Sequence, residues 1–157
     1  MIHFAFKIAS KLPPGVERNW SMLVATASGS IYSHVEVWLN GDIKTAYCFS
    51  SREPHGAGFQ VIDLSAPEWE IVPLNTTPDQ EKYIWGYCLG ADGKGYDGVG
   101  LLGFGKIPAI HDFRCLHCSE TAANILAKCL KQKLSKLAWM LSPGDICTLV
   151  KGIKYAS

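Results

Sequence analysis

The sequence predicts an α+β fold on three observations. Runs rich in β-branched and aromatic residues, which are typical of strands, are concentrated in the first half of the 157 residues. Helical patterns lie mainly in the second half. A strong hairpin signal, Asn40-Gly41-Asp42, connects two of the strands without a helix between them. Strands in series followed by helices favour an antiparallel sheet, so we expect one domain over residues 1–157, with about five strands packed against helices.

The first strand and the first helix are separated by a proline-rich break. The segment Met1 to Lys7 is interpreted as a strand, and Pro13-Pro14-Gly15 then interrupts the chain. Residues 16–27 have helical periodicity. The apolar residues on one side of this helix are Val16, Trp20, Leu23, Val24 and Ala27.

A hairpin is predicted at residues 31–49. Residues 31–39 form the outgoing strand, the Asn40-Gly41-Asp42 turn reverses the chain, and residues 43–49 return. The polar residues 50–58 are predicted to form a loop, followed by strands at 59–64 and 69–74. Alternation places Tyr32, His34, Glu36 and Trp38 on one face of the outgoing strand, and Ser33, Val35, Val37 and Leu39 on the other.

The later elements are predicted to be mainly helical. Thr77 is a candidate N-cap with Pro78 at the first helical position, in a helix that runs to Cys88 or Leu89. The glycine-rich residues 91–105 include Tyr96-Asp97 and a short helix near 99–102. A further helix begins near Cys118. The last segment, 134–151, is broken at Ser142, which caps a final helical turn or two.

Composition and charge exclude several classes of function. A net charge of +1 gives no electrostatic basis for binding nucleic acid. No run of about 18 apolar residues is present to span a membrane. The N-terminus lacks the basic start and long apolar core of a signal peptide, so we expect a cytoplasmic protein. Its six cysteines are then expected to be reduced thiols and not a disulfide framework.

The most informative stretch is residues 113–120, FRCLHCSE, which leads directly into a helix. Cys118 lies where that helix begins, and there unpaired backbone N–H groups and the positive end of the dipole favour thiolate over thiol. The same N–H groups could hold an oxyanion that develops on a carbonyl under attack. We therefore expect a cysteine nucleophile at Cys118. The apolar residues at helical spacing behind it are Ala122, Ile125, Leu126, Cys129 and Leu130.

A cysteine nucleophile needs an imidazole within hydrogen-bonding reach, and His34 is the candidate. If the Cys118 helix packs against the strand that carries His34, the imidazole can pair with the thiolate and later protonate the leaving group. The alternatives are a buried structural Cys118 and a core His34 with a satisfied hydrogen bond. Spacing alone does not choose between them, because distance in sequence does not fix distance in space.

The order of several short motifs resembles a known family. Ser33-His34-Val35-Glu36-Val37 precedes the Asn40-Gly41 turn, Tyr96-Asp97 lies in a glycine-rich stretch, and Cys118-Ser119-Glu120 opens a helix. This order, over residues 31–130, resembles the circularly permuted branch of the NlpC/P60 papain-like superfamily. That branch contains the YiiX/YaeF-type and lecithin:retinol-acyltransferase-like proteins, in which a Ser-His-Val strand comes before a Cys-Ser-Glu helix.

The resemblance implies a permuted papain-like fold and a particular set of site residues. Cys118 matches the family's nucleophile and His34 its general base. The family's third, orienting group usually lies on the strand after the histidine strand, but residues 43–49 offer no carboxylate or amide. Glu36, two residues beyond His34 on the same face, is the substitute candidate, and the alternative is a surface carboxylate on a half-exposed strand. The predicted substrate-binding residues are Tyr96, which matches a family tyrosine near the thiol, Tyr32 and Ser119.

The resemblance also implies the class of reaction. The reaction would be the one that a thiol amidase, peptidase or acyltransferase catalyses at amide or ester bonds, with no metal and no organic cofactor. The substrate would be a small peptide, a peptidoglycan fragment of a bacterial wall, reached by a bacterial or phage route, or a lipid-like molecule. A non-catalytic binding module on the same fold is the rival from another class. The sequence leaves the substrate and the oligomeric state open.

Two other motifs carry less weight. Cys115-Leu116-His117-Cys118 has the spacing of half a zinc site, with His111 nearby, but no second cluster is present and no βαβ setting supports a redox motif. Cys115 is therefore interpreted as buried packing. Residues 100–106 have the spacing of a phosphate loop, but Ile107 stands where Ser or Thr would hold magnesium. The sequence therefore predicts neither a metal site nor a nucleotide site.

Overall fold

The computed structural model describes residues 1–98 and 114–156, and within them the fold is α+β. Five strands form its main sheet: β1 (Ile2–Ile8), β2 (Tyr32–Asn40), β3 (Ala46–Arg52), β4 (Gly56–Ile62) and β5 (Trp69–Leu74). The sheet is antiparallel, with the strand order β4-β3-β2-β1-β5. The predicted class and the predicted number of about five strands in the sheet are thus confirmed.

Helices and one short parallel pair of strands complete the described residues. A π-helical segment, Ile125–Cys129, continues the helix that begins at Cys118, and the five apolar residues predicted for its buried stripe are all buried. In the described parts of the chain, no helix is long and apolar enough to cross a membrane. The helices are α1 (Val16–Ser28), α2 (Pro78–Ala91), α3 (Cys118–Asn124) and α4 (Pro143–Ala156), and the paired strands are β6 (Gly95–Tyr96) and β7 (Cys115–Leu116).

The predicted hairpin is present, but its second strand lies further along the chain. Gly41 has a φ of +89°, and a Cβ there would lie 2.4 Å from the Thr45 carbonyl oxygen, so the turn requires glycine. β3 begins only at Ala46 and continues to Arg52, which makes the predicted loop over 50–58 wrong. Ser50 and Ser51 can be buried in the strand because their hydroxyls donate to the carbonyls of Val35 and Leu116, at 2.7 and 2.6 Å.

A β-bulge in β2 changes which of its residues share a face. Lys7 pairs with His34 and Ile8 pairs with Tyr32, so one step along β1 matches two steps along β2. Tyr32 consequently faces the core, with its ring 5.5 Å from that of Phe6. Glu36 pairs with Ala5 and points to the other side, where His34 joins it. The predicted alternation is wrong for Tyr32 because of the extra residue, Ser33.

The helix α1 matches its predicted bounds closely but not its predicted buried side. Gly29, at a φ of +66°, ends the helix in the left-handed conformation. The sheet buries Ser21, Val24 and Ala25, whereas Val16 is 87% exposed. Of the predicted apolar stripe only Val24 is buried, and the rest of that side remains at the surface.

The capping predictions for the other helices are confirmed. Thr77 accepts from the N–H of Gln80, and the Gln80 side chain accepts from the N–H of Thr77, which is a complete capping box. Ser142 and Asp145 cap α4 reciprocally in the same way. Both helices are longer than predicted, ending at Ala91 and Ala156. The predicted helix near 99–102, the loop at 100–106 and His111 lie outside the described residues.

Candidate active site

Cys118 is the first residue of α3, as predicted, and a histidine immediately before it caps the helix. The Nδ1 atom of His117 accepts from the N–H of Glu120 at 3.2 Å, and the ring is fully buried. The other ring nitrogen, Nε2, lies 3.0 Å from the Trp139 carbonyl oxygen, to which it donates. One ring nitrogen that accepts and one that donates is the pattern of a neutral imidazole. The cap therefore holds the start of α3 rigidly.

The end of β3 holds the same part of the chain from the other side. The hydroxyl of Ser51 donates to the Leu116 carbonyl at 2.6 Å, two residues before Cys118. β7, which contains Leu116, is also paired with β6, where Tyr96 lies opposite Leu116. These contacts bring Cys118 to the sheet beside β2 and β3. The thiol is nearly enclosed, since Cys118 is only 2% exposed.

His34 lies between Cys118 and Glu36. Its Nε2 atom is 2.7 Å from Oε1 of Glu36, and the Cys118 sulfur interacts with the imidazole as a charge and as a hydrogen-bond partner. Burial alone would lower the pKa of His34, but the negative charges and hydrogen bonds of Cys118 and Glu36 outweigh it and raise the pKa to about 9. The imidazole is therefore held as the imidazolium at neutral pH.

Glu36 is a buried carboxylate with two cationic partners. It is 1% exposed, and Arg52 donates to it twice, from Nε to Oε1 at 2.8 Å and from Nη2 to Oε2 at 2.7 Å. The amide of Gln60 lies 3.4 Å from Oε1. Burial alone would raise the pKa of Glu36, but His34 and Arg52 outweigh it and hold the pKa below its usual range. Glu36 is thus ionised where it meets His34.

Arg52 is the site residue that the sequence analysis missed. The predicted return strand ended at Phe49, so Arg52 was assigned to a loop. In the structure Val37 pairs with Phe49, and β3 continues past this pair, which brings Arg52 towards the region of His34 and Glu36. Counting the hairpin register onwards from the Gly41 turn, with the strand allowed to run through the two serines, would have found it.

The His34 side chain opens into a cleft of about 490 Å³. α1 forms one wall, and the end of β3 with the residues after it forms another. Tyr96 also lines the cleft and belongs to β6, outside the five-stranded sheet. Both apolar and charged side chains line it. The lining residues are Lys7, Glu17, Trp20, Ser21, Val24, Ser33, His34, Arg52, Glu53, Pro54 and Tyr96.

Tyr96 lies near the thiol, where the resemblance predicted it. Burial raises its pKa, and the negative charges of Cys118, Glu53 and Asp97 raise it further. The phenol therefore stays protonated and can donate a hydrogen bond into the cleft.

Two predicted substrate-binding residues do not line the cleft. The Tyr32 hydroxyl donates to Glu70 at 2.6 Å on the core side of β2, because the bulge turns it away from His34. Ser119 is completely buried, with its Oγ 3.0 Å from Nδ1 of His117. It belongs to the cap of α3, and its hydroxyl is directed to that cap and not to the cleft. Both assignments are corrected on these grounds.

Four of the other cysteines are buried thiols. Burial raises the pKa of Cys48, Cys88, Cys129 and Cys147. Cys115 is partly exposed and not buried as predicted. In residues 1–98 and 114–156, no three His, Cys, Asp or Glu side chains are grouped so that they could hold a metal ion.

Comparisons of the chain with family models, with curated proteins and with solved structures found no match. The resemblance to the permuted NlpC/P60 branch therefore stays a prediction from the motif order.

Proposed function

We propose that this protein is a cysteine hydrolase or acyltransferase in which Cys118 forms a thioester, His34 moves the proton and Glu36 orients His34. The observation that carries the proposal is the position of the His34 imidazole between a thiol and an ionised carboxylate, 2.7 Å from the latter. A nucleophile, a base and a third group that orients the base are the parts that covalent catalysis requires. The fold would be the permuted papain-like one.

The two half-reactions follow from these parts. The Cys118 thiolate attacks the carbonyl carbon, a C–S bond forms, and the carbonyl oxygen becomes an oxyanion. When this intermediate collapses, the C–N or C–O bond breaks, and the His34 imidazolium gives its proton to the leaving amine or alcohol. Water or an acceptor nucleophile then loses its proton to His34 and attacks the thioester, which releases Cys118 as the thiolate.

The surroundings suggest how the oxyanion would be stabilised. Residues 118 and 119 precede the first intrahelical hydrogen bond of α3, from the Thr121 N–H to the His117 carbonyl. Their N–H groups and the protonated Tyr96 are the candidate donors to the oxyanion. Glu36 is the candidate third group, which removes the main reason to prefer a non-catalytic binding module. Peptide amides, wall peptides and lipid esters are the substrate classes to compare.

The test uses p-nitrophenyl acetate, which needs no knowledge of the natural substrate. We expect a burst of nitrophenolate, a mass gain of one acetyl group on the protein, and peptide mapping of that group to Cys118. Cys118→Ala should abolish the burst and leave the circular dichroism spectrum unchanged, because the side chain is small and Ala keeps the start of α3. A burst that survives in Cys118→Ala would overturn the mechanism.

Alkylation by iodoacetamide provides the second arm. Cys147 is a matched internal control, since it is 2% exposed, as Cys118 is, while burial raises its pKa. At about pH 6, labelling of Cys118 should be faster than that of Cys147 by one to two orders of magnitude, because only a thiolate reacts. Equal rates at the two thiols would instead favour the binding module.

A further inference from the structure

We propose that Arg52 is a positioning residue that fixes Glu36 against His34. This inference rests on the function proposed above, because the orientation of His34 matters only if the imidazole transfers a proton. Arg52 would not touch the substrate's reacting atoms. It would act through Glu36, by setting both the direction and the charge of the carboxylate.

The direction follows from the two hydrogen bonds. The planar guanidinium of Arg52 donates to both carboxylate oxygens of Glu36, at 2.8 and 2.7 Å, so the plane of the carboxylate is fixed. Oε1, which accepts from Arg52 Nε, is also the atom that lies 2.7 Å from Nε2 of His34. The same carboxylate oxygen therefore joins the guanidinium to the imidazole. A displacement of Arg52 would turn Oε1 away from the ring.

The charge follows from burial. Glu36 is 1% exposed, and a carboxylate in that position favours its neutral acid unless a cation lies beside it. Arginine is suited to this because it does not lose its proton in proteins. A neutral Glu36 would be a poorer acceptor for the Nε2–H group of His34, and the imidazolium would lose its stabilising partner. Arg52 therefore keeps Glu36 in the state that His34 requires.

A second cation beside the cleft does not have this arrangement. Lys7 pairs with His34 in the β1–β2 register, but its Nζ atom lies 2.5 Å from Oε1 of Glu17 and 5.2 Å from the centre of the Trp69 ring. Its contacts are with α1 and β5. The cation that contacts Glu36 directly from the neighbouring strand is Arg52, and Gln60 on β4 adds a neutral donor at 3.4 Å.

The experiment is an NMR titration of the His34 ring, read without substrate. In Arg52→Gln we expect the midpoint to fall by about one pH unit, because His34 loses much of its charge partner. Arg52→Lys keeps the charge but loses the two-pronged contact, and should lower the midpoint by less. Arg18→Gln, which removes an arginine from α1, is the control and should leave the midpoint unchanged.

A double-mutant cycle with Glu36→Gln separates an action through Glu36 from a general effect of charge. In the Glu36→Gln background, Arg52→Gln should produce no further fall. An equal fall in both backgrounds would overturn the proposal, and so would an unchanged midpoint in a folded Arg52→Gln protein. If Arg52→Gln does not fold, Arg52→Lys decides, since an unchanged midpoint in that variant would contradict a need for the two-pronged contact.

The titration of His34 and the acetyl burst test different proposals, so each result can contradict one proposal without contradicting the other. A wild-type protein without a burst would overturn the proposed function, yet the His34 midpoint would still report whether Arg52 acts through Glu36. Conversely, a normal burst with an unchanged midpoint in Arg52→Gln and Arg52→Lys would leave the cysteine mechanism intact and remove Arg52 from it.

Discussion

Two histidines flank Cys118, one buried and one that lines the cleft, and their surroundings differ in kind. His117 precedes the thiol in the chain, and its ring contacts neutral groups that include the Glu120 N–H, the Ser119 hydroxyl and the Trp139 carbonyl. His34 reaches the thiol from β2 and lies against groups that become anions, the Cys118 sulfur and the Glu36 carboxylate. Backbone partners use both ring nitrogens of His117 and favour its neutral form. Anionic partners favour the imidazolium at His34.

Proximity in sequence is therefore a poor guide to which histidine contacts a cysteine as its acid–base partner. His117 is one residue away and is occupied by the cap of α3, whereas His34 is in another part of the fold. The chemistry of an imidazole is decided by what its two nitrogens contact. Substitutions at the two histidines and at Tyr32 test this contrast.

Replacing His34 with Ala should have the largest effect. Without the imidazolium, labelling of Cys118 by iodoacetamide at about pH 6 should slow by roughly a hundredfold, because an ordinary thiol is less than about 1% ionised there. The rate at Cys147 in the same sample provides the reference. A His34→Ala protein that is folded and labels as fast as wild type would contradict the ion pair.

Replacing His117 with Ala should affect stability and not reactivity. The change removes the N-cap of α3 and the buried bond to the Trp139 carbonyl, so the free energy of unfolding should fall by about 1–3 kcal/mol. Urea denaturation measures this. His117→Asn, which restores a capping acceptor, should recover part of the loss. A changed pH profile of Cys118 labelling in the folded variant would mean that His117 also serves the thiol.

The pH dependence of stability should separate the two histidines by a smaller effect. The pKa of His34 is raised to about 9, above the unfolded value of 6.5. The protonated ring therefore stabilises the fold fully below about pH 6.5, and this contribution is lost as the pH rises through about 9. The difference in unfolding free energy between wild type and His34→Gln should shrink over that interval. The fall in unfolding free energy caused by His117→Ala should stay constant over the same interval. A fall that varied with pH there would contradict the difference between the two histidines.

Replacing Tyr32 with Phe should have the smallest effect. The change removes the hydrogen bond from the hydroxyl to Glu70 at 2.6 Å and a longer one that the hydroxyl accepts from Lys151 at 3.5 Å, which together cost about 1 kcal/mol of stability. The Tyr32 ring packs on Phe6 and should remain in place. Labelling of Cys118 should not change. Slower labelling in Tyr32→Phe would indicate that the bulge at Ser33 does not separate Tyr32 from the site.

Much of the fold could be predicted because local signals agreed with the final packing. The turn at Gly41, the cap at Thr77 and the strand 69–74 were all predicted where they lie. The errors have physical causes. Ser50 and Ser51 have little preference for strands, and only distant carbonyls, those of Val35 and Leu116, make their burial possible. No local pattern reports such partners.

The site could be predicted in part for the same reason. The resemblance called for an orienting group, and Glu36 was the candidate because it lies two residues beyond His34 on the same face of a strand. That two-residue repeat holds from His34 to Glu36. It fails at Tyr32, since the bulge inserts one residue into β2. Arg52 could be predicted as a site residue only from the true end of β3, which lies three residues beyond the predicted end at Phe49.

The order of the site residues along the chain also bears on folding. His34, Glu36, Arg52 and Gln60 come from three consecutive antiparallel strands, while Cys118 arrives about eighty residues after His34. Closing so long a loop costs conformational entropy and is a late event in assembly. Until it closes, Cys118 would be an ordinary thiol. Pulse alkylation of Cys118 at successive times of refolding would then measure when the contact between Cys118 and His34 forms.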